Sequence, residues 1–355
     1  MLEGRADRLV ALTCALAGAW ASLASCGSGA TPEGSVADAG ADASLDAAFD
    51  AAPDAAADAA ADSAPDAAPG LGPPYPIVLA HGFGGFDEVG PIDYFWRVAE
   101  TLGAEGEQIH VSQVAWVGSS EARGAELLAF VQEVLAETGA ARAVIVGHSQ
   151  GGLDARVVAH AAPEAVAAVV TIATPHQGTP VADVVLGYAP GFSEDLANAV
   201  FDLFGRIFYG DEAQDADVRT ALELFSEPGI AAFNEAYPDA EGVSYFSITG
   251  RSALRWALED CSFDDRPSFI TDWDSQIDPR DALLAVPGVS LDPDGPNDGL
   301  VPVDSARWGR FLGCVPADHL DEVGQLMGDS PGGTNDFDHL DFYRGLVAFL
   351  REQGF

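Results

Sequence analysis

The sequence predicts an α/β protein, a mostly parallel sheet with helices on both faces. Two observations carry that expectation. Short continuous apolar runs at residues 76–80, 143–146 and 168–172 recur between longer helix-periodic stretches. Strands buried on both faces read as such runs rather than as apolar–polar alternation. Each run is also cut by glycine or proline, at His81-Gly82-Phe83-Gly84-Gly85, at Gly147-His148-Ser149-Gln150-Gly151-Gly152 and at Thr174-Pro175. Those are the places where a strand hands over to a helix.

Taken in order, residues 1–25 carry Arg5 and Arg8 and then an apolar run from Leu9 through Trp20. This is the pattern of a signal peptide for export, and it is short for a membrane span. It ends in Leu23-Ala24-Ser25-Cys26, which resembles the lipobox of bacterial lipoproteins. That resemblance implies a lipid-modified Cys26 holding the protein at a membrane, and Gly27 in place of an aspartate favours the outer one. Residues 26–71 are mostly Ala, Asp, Pro and Ser. Such a segment buries too little apolar surface to offset the entropy of ordering, so a disordered tether is expected. The folded unit is then 72–355. It opens with the 76–80 strand, a helix over 94–102, a strand over 109–117 and an amphipathic helix over 121–138. The 143–146 strand, a helix opening at Leu153 and the 168–172 strand follow, and the last helix covers 342–353.

Gly147-x-Ser149-x-Gly151 lies between a β-branched run and a helix, the context of the nucleophile elbow of the α/β-hydrolase fold. Such a turn lifts the serine hydroxyl above the sheet edge at a positive helix N-terminus. The nucleophile candidate is therefore Ser149. Backbone amides of Phe83 and Gln150 are the candidate oxyanion donors, and His81 reads as support for its own turn. Triad order in this fold is Ser, then acid, then His. His160 and His176 precede any late acid, which leaves His319 and His339 in duplicated Asp-His-Leu-Asp tetrapeptides. The acid candidate is Asp298 in Asn297-Asp298-Gly299-Leu300-Val301-Pro302, ahead of a strand-like run, with Asp278, Asp292 and Asp294 as competitors. Order alone does not separate the two histidines.

The formal charge of −40, with 56 acidic residues against 16 basic ones and no lysine, excludes a nucleic-acid partner and a basic membrane-docking patch. It describes a self-repelling, soluble surface, and it also suits salt-rich surroundings. No organic cofactor is called for.

Four stretches together resemble the Pseudomonas–Burkholderia true-lipase family. They are Pro76-Ile77-Val78-Leu79-Ala80-His81-Gly82, Gly147-His148-Ser149-Gln150-Gly151-Gly152, Asn297-Asp298-Gly299-Leu300-Val301 and His319-Leu320-Asp321-Glu322-Val323-Gly324-Gln325-Leu326. The resemblance spans about residue 74 to the C-terminus. It implies a triacylglycerol lipase with His319 as the base and Asp298 as the acid, His339 becoming a partner of the last helix. It further implies a structural Ca²⁺ held by the carboxylates of Asp278 and Asp321 and the carbonyls of Gln325 and Asp329, all hard oxygen donors. Family members usually need a dedicated folding chaperone. Residues 181–228, with a helix-periodic apolar stretch from Phe192 to Phe208, read as a lid over the site, or else as one more core helix. A lid separates a lipase from a short-chain carboxylesterase or polyester depolymerase, which are the alternatives. A non-catalytic surface-binding protein is the remote one. The family's disulfide has a cysteine where this chain has Val303-Asp304-Ser305. A Cys261–Cys314 bond, the one pairing open within 72–355, would be a different bridge.

Overall fold

The computed structural model describes residues 70–84, 88–89, 92–186, 212–252, 261, 265–281, 284–291, 295–328, 331–332 and 335–355. All of them belong to the compact unit Pro65–Phe355. The chain runs through β1 (Ile77–Ala80), a two-stranded ribbon of β2 (Glu88–Val89) and β3 (Ile92–Asp93), α1 (Val98–Ala104), β4 (Ile109–Val111) and α2 (Ser120–Thr138). Then come β5 (Ala143–His148), α3 (Gln150–Ala161), β6 (Val166–Ile172), α4 (Pro180–Val185), α5 (Glu212–Phe225) and α6 (Glu227–Ala236). Last are β7 (Ser244–Gly250), α7 (Ser268–Thr271), α8 (Ala285–Leu291), β8 (Arg310–Val315), α9 (Gln325–Gly328) and α10 (His339–Glu352). Six strands form one parallel sheet in the order β4-β1-β5-β6-β7-β8, so the expected α/β architecture is borne out.

The continuous apolar runs have a direct cause. Successive residues of a strand face opposite sides of the sheet, and here both sides are covered. Ile77, Leu79, Val144, Val146 and Val170 face α1, α7 and α10. Val78, Ala80, Ile145 and Val169 face α2 and α3.

Several boundaries differ from the sequence expectation, each for a local reason. The strand expected over 109–117 ends at Val111, because after Ser112 donates to the Leu79 carbonyl at 2.9 Å the chain leaves the sheet. The helix expected over 94–102 starts only at Val98: the Trp96 amide is committed to the Val323 carbonyl at 3.0 Å, and Arg97 sits at φ 56°. The apolar run after Asp298 is a tight turn closed by an Asn297–Pro302 bridge, not a strand. The last helix begins three residues early, at His339, because the Asp338 side chain caps it by accepting from the Asp341 amide. At the other end Leu71 already pairs with Ala140, so ordered pairing starts one residue before 72. Of the expected lid, 181–228, the flanking α4 and α5 are seen; residues 187–211 lie outside the described residues.

Candidate active site

Ser149 joins β5 to α3 at φ 54°, ψ −127°, a conformation that costs a non-glycine residue of order 1–3 kcal/mol. Neighbouring contacts hold it there. Its amide donates to the Ile172 carbonyl at 2.8 Å, and Thr174 Oγ1 donates to its carbonyl at 2.7 Å. The flanking glycines are steric necessities. A Cβ on Gly147 would stand 2.4 Å from the Gly151 backbone, and one on Gly151 would stand 2.2 Å from the Ala80 carbonyl oxygen.

Asp298 is fully buried. Its Oδ1 accepts from the Leu300 and Val301 amides at 2.8 and 2.7 Å, so the turn folds back onto its own carboxylate. Its Oδ2 lies 2.8 Å from His319 Nδ1. A carboxylate there calls for the proton on Nδ1, which leaves Nε2 as the basic nitrogen. Ser149 and His319 border one cavity of about 160 Å³, whose walls are largely apolar and include Phe83, Leu222, Phe225 and Leu300. His339 lies elsewhere: it opens α10 and its Nε2 donates to the Trp96 carbonyl at 2.9 Å. His160 packs edge-on against Tyr237, and His176 is buried between Arg156 and Thr171.

The Gln150 amide begins α3 and has no acceptor one turn back within the helix. The Gln150 side chain is fixed by donating to the Gly118 carbonyl at 2.8 Å. Phe83 follows the His81-Gly82 turn and meets Phe225 edge-on. That turn is clamped from α2. Arg123, fully buried, donates to the His81 and Gly82 carbonyls at 2.6 and 3.4 Å and to the Ala115 carbonyl, while its Nε pairs with Asp154 at 2.8 Å. Burial, followed by the charge of Arg123, holds the His81 imidazole down to about 4, which keeps it neutral and structural.

Beneath His319 lies a second polar chain. The His148 ring is 4.6 Å from that of His319, with Tyr94 Oη 2.7 Å from its Nδ1 and Glu322 Oε2 3.2 Å from its Nε2. Burial pushes the His148 pKa well down and the Glu322 pKa well up. Burial therefore disfavours the charged form of both partners.

Asp278 and Asp321 come together as the resemblance implied, joined by Asp318; the three carboxylates are buried with ligand atoms within 4.8 Å of one another. Asp318 is spent on the loop, accepting from the Leu320, Asp321 and Asp281 amides. Asp278 Oδ2 is buried without a hydrogen-bond partner, and burial, then the charge of Asp318, pushes Asp278 up to about 8. Oxygen donors of this kind suit a hard cation. Gln325 opens α9 with its side chain donating to the Tyr94 carbonyl. Asp329, Asp292, Asp294 and Cys26 lie outside the described residues. Cys261 and Cys314 are joined as a disulfide with Cα atoms 5.6 Å apart.

Arg123, Asp154, Tyr94 and Glu322 escaped the sequence reading. Arg123 left one trace: a cation in the first turn of a helix opposes the helix dipole and needs a reason to be there.

Residues 75–285 match the family model described as alpha/beta hydrolase fold. The chain is 34% identical over 296 residues to a triacylglycerol lipase of Vibrio cholerae serotype O1, covering 79% of this chain and 88% of that one. It is 32% identical over 312 residues to a triacylglycerol lipase of Burkholderia plantarii, covering 79% and 87%. Among solved structures, mature lipase BlEst2 of Bacillus licheniformis aligns with a TM-score of 0.54 at 19% identity, covering 79% of this chain and 92% of that one. At that identity the likeness is one of fold.

Proposed function

The chain belongs to the α/β-hydrolase fold family and is a serine ester hydrolase, and from that premise we propose that it is a triacylglycerol lipase with Ser149, His319 and Asp298 as its triad. The observation that carries the triad is the buried 2.8 Å Asp298–His319 bond at the edge of the apolar cavity that Ser149 also borders. The apolar walls suit an acyl chain, and the lipases named above are relatives across most of their length.

In this reading Ser149 Oγ attacks the ester carbonyl as His319 Nε2 takes its proton, and Asp298 holds the tautomer and steadies the imidazolium. The Phe83 and Gln150 amides receive the oxyanion. His319 then protonates the leaving alcohol, and water delivered by the same imidazole releases the fatty acid from Ser149. The test is a chain-length series of p-nitrophenyl esters, below and above substrate solubility, on wild type and Ser149→Ala. Long-chain activity rising at the interface and abolished by Ser149→Ala is expected. Activity confined to soluble short esters would make the enzyme a carboxylesterase, and activity surviving in Ser149→Ala would remove the nucleophile.

The carboxylates of Asp278 and Asp321, with the carbonyls of Gln325 and Asp329, would hold a structural Ca²⁺. The unpartnered Asp278 Oδ2 supports this, and the ion would supply only cross-linking of the loop that bears His319. Export is part of the proposal and rests on the signal-like residues 1–25. Cys26 would carry the membrane anchor, and a folding chaperone is the expected partner by likeness to the true lipases.

A further inference from the structure

We propose that Arg280 is a positioning residue for hydrolysis: its guanidinium fixes the turn that carries Asp298 and ties it to the segment bearing Asp278. The inference rests on the reading of Asp298 as the triad acid.

Arg280 lies 18 residues before that acid, in a segment of irregular backbone after α7. It adopts φ 62°, the left-handed region that a bulky residue occupies only when its surroundings impose it. The imposing contacts are visible. Its amide donates to Asp278 Oδ1 at 2.9 Å, which sets the backbone. Its Nε donates to Ser252 Oγ at 2.8 Å, and one Nη donates both to the Ser252 carbonyl at 2.7 Å and to Asn297 Oδ1 at 3.0 Å. Ser252 in turn donates its amide to the Asn297 carbonyl at 2.8 Å. Asn297 is thus gripped on both its main chain and its side chain, one residue before the acid.

That grip reaches the chemistry through few bonds. Asn297 Oδ1 also accepts from the Gly299 amide at 3.0 Å, closing the turn whose next amides hold Asp298 Oδ1. The Asp298 carbonyl accepts from the His319 amide at 2.9 Å, so the acid's backbone sets the base's backbone as well. Freeing Asn297 would let both ends of the Asp298–His319 bond drift.

A second observation comes from α8. A Cβ on Gly288 would lie 2.3 Å from the Arg280 guanidinium. The side chain passes directly under this helix, so a side chain added at Gly288 would have to displace the guanidinium. A surface arginine needs no such passage.

A lysine cannot reproduce the guanidinium's grip, because a compact ammonium lacks the planar fork that serves Ser252 and Asn297 together. The test compares Arg280→Met, Arg280→Lys, Gly288→Ala and Asp298→Ala, with kcat expressed per active site titrated by a fluorophosphonate. In Arg280→Met, kcat per titrated site is expected to fall by about ten- to a hundredfold while KM changes by less than about twofold, since orientation rather than binding is lost. Arg280→Lys should recover part of that loss. Gly288→Ala, which keeps the charge of Arg280 but displaces its guanidinium, should lower kcat in the same sense.

The double variant Arg280→Met/Asp298→Ala should be no slower than Asp298→Ala, because two groups acting as one unit are not additive. A merely structural arginine would lower only the titratable fraction and leave kcat per site intact; that result, or a further fall in kcat per site when Arg280→Met is added to Asp298→Ala, overturns the role. If Asp298→Ala itself keeps full kcat, the triad reading fails and the proposal falls with it. If only the Arg280 variants keep it, the triad stands and this proposal alone is refuted.

Discussion

Burial of an imidazole next to a guanidinium makes a residue report on pH through folding. His81 is fully buried in the turn that opens the proposed oxyanion loop, and burial together with Arg123 depresses its pKa to about 4. In the unfolded chain it titrates near the ordinary imidazole value of 6.5. The unfolded state thus binds the extra proton first. The stabilising contribution is complete above pH 6.5 and is lost as pH falls through the window down to about 4, to an extent of about 3 kcal/mol. His148 and His176 are depressed by burial in the same direction, so acid weakens the fold at several buried points at once. Replacing His81 by glutamine is expected to flatten the urea-midpoint profile between pH 7 and pH 4.5 by the share of one proton. A variant profile parallel to the wild type would show that His81 is not depressed. Ser149 shows the complementary residue-scale effect, a strained backbone held by Ile172 and Thr174 at the proposed nucleophile.

At the scale of elements, α2 reaches across to the His81-Gly82 turn, the proposed oxyanion loop, through one side chain. Arg123 donates to His81, Gly82 and Ala115, and its partner Asp154 sits on α3 behind the nucleophile. Burial outweighs the arginine's attraction and pushes Asp154 up to about 6, so the pair is there for placement more than for net stability. Arg123→Met is expected to lose about 3–5 kcal/mol, because it strands a buried carboxylate. Its kcat should drop by about 10²-fold through misplacement of an oxyanion donor. Arg123→Met/Asp154→Leu should regain most of the stability and none of the rate; if rate returns with stability, the clamp is only structural. The same elements show what was legible beforehand. β1, β5 and β6 were readable because both of their faces are buried. β7 and β8 are not legible as buried strands, since Ser244, Ser247 and Thr249 in one and Arg310 and Gly313 in the other break the apolar run. Their polarity is absorbed by tertiary contacts such as Ser247 Oγ donating to the Trp308 carbonyl. Ser149 was legible because its elbow is local. His319 and His339 stand equal by chain order; the family resemblance favours His319, and in the fold it is His319 that meets Asp298 while His339 bonds to the Trp96 carbonyl. Arg123 on an amphipathic helix reads as a solvent-facing cation until the chain is folded.

The whole molecule carries a formal charge of −40, and three of its carboxylates, Asp278, Asp318 and Asp321, are buried together where the segment after α7 meets the loop after β8. These segments are brought together late in sequence, and each adjoins a member of the proposed triad: Asp321 follows His319 by two residues, and Arg280 next to Asp278 grips Asn297. Without a cation, the cluster is held by amides donated to Asp318 and to Asp278, and mutual repulsion opposes it. A divalent ion with an appetite for oxygen would turn that repulsion into a cross-link between acid and base loops. Ca²⁺ at about a hundred times its Kd should then add about 2.7 kcal/mol to the folded state. For a domain of this size that corresponds to a Tm rise of about 5–10 °C, reversed by chelation. Asp278→Asn and Asp321→Asn should each abolish most of the response, and Mg²⁺ should substitute poorly because it gives up its water shell reluctantly. A melting curve indifferent to Ca²⁺, EDTA and both substitutions would mean that the buried carboxylates stay together by holding protons, and that the loop bearing His319 is fixed by its own hydrogen bonds alone.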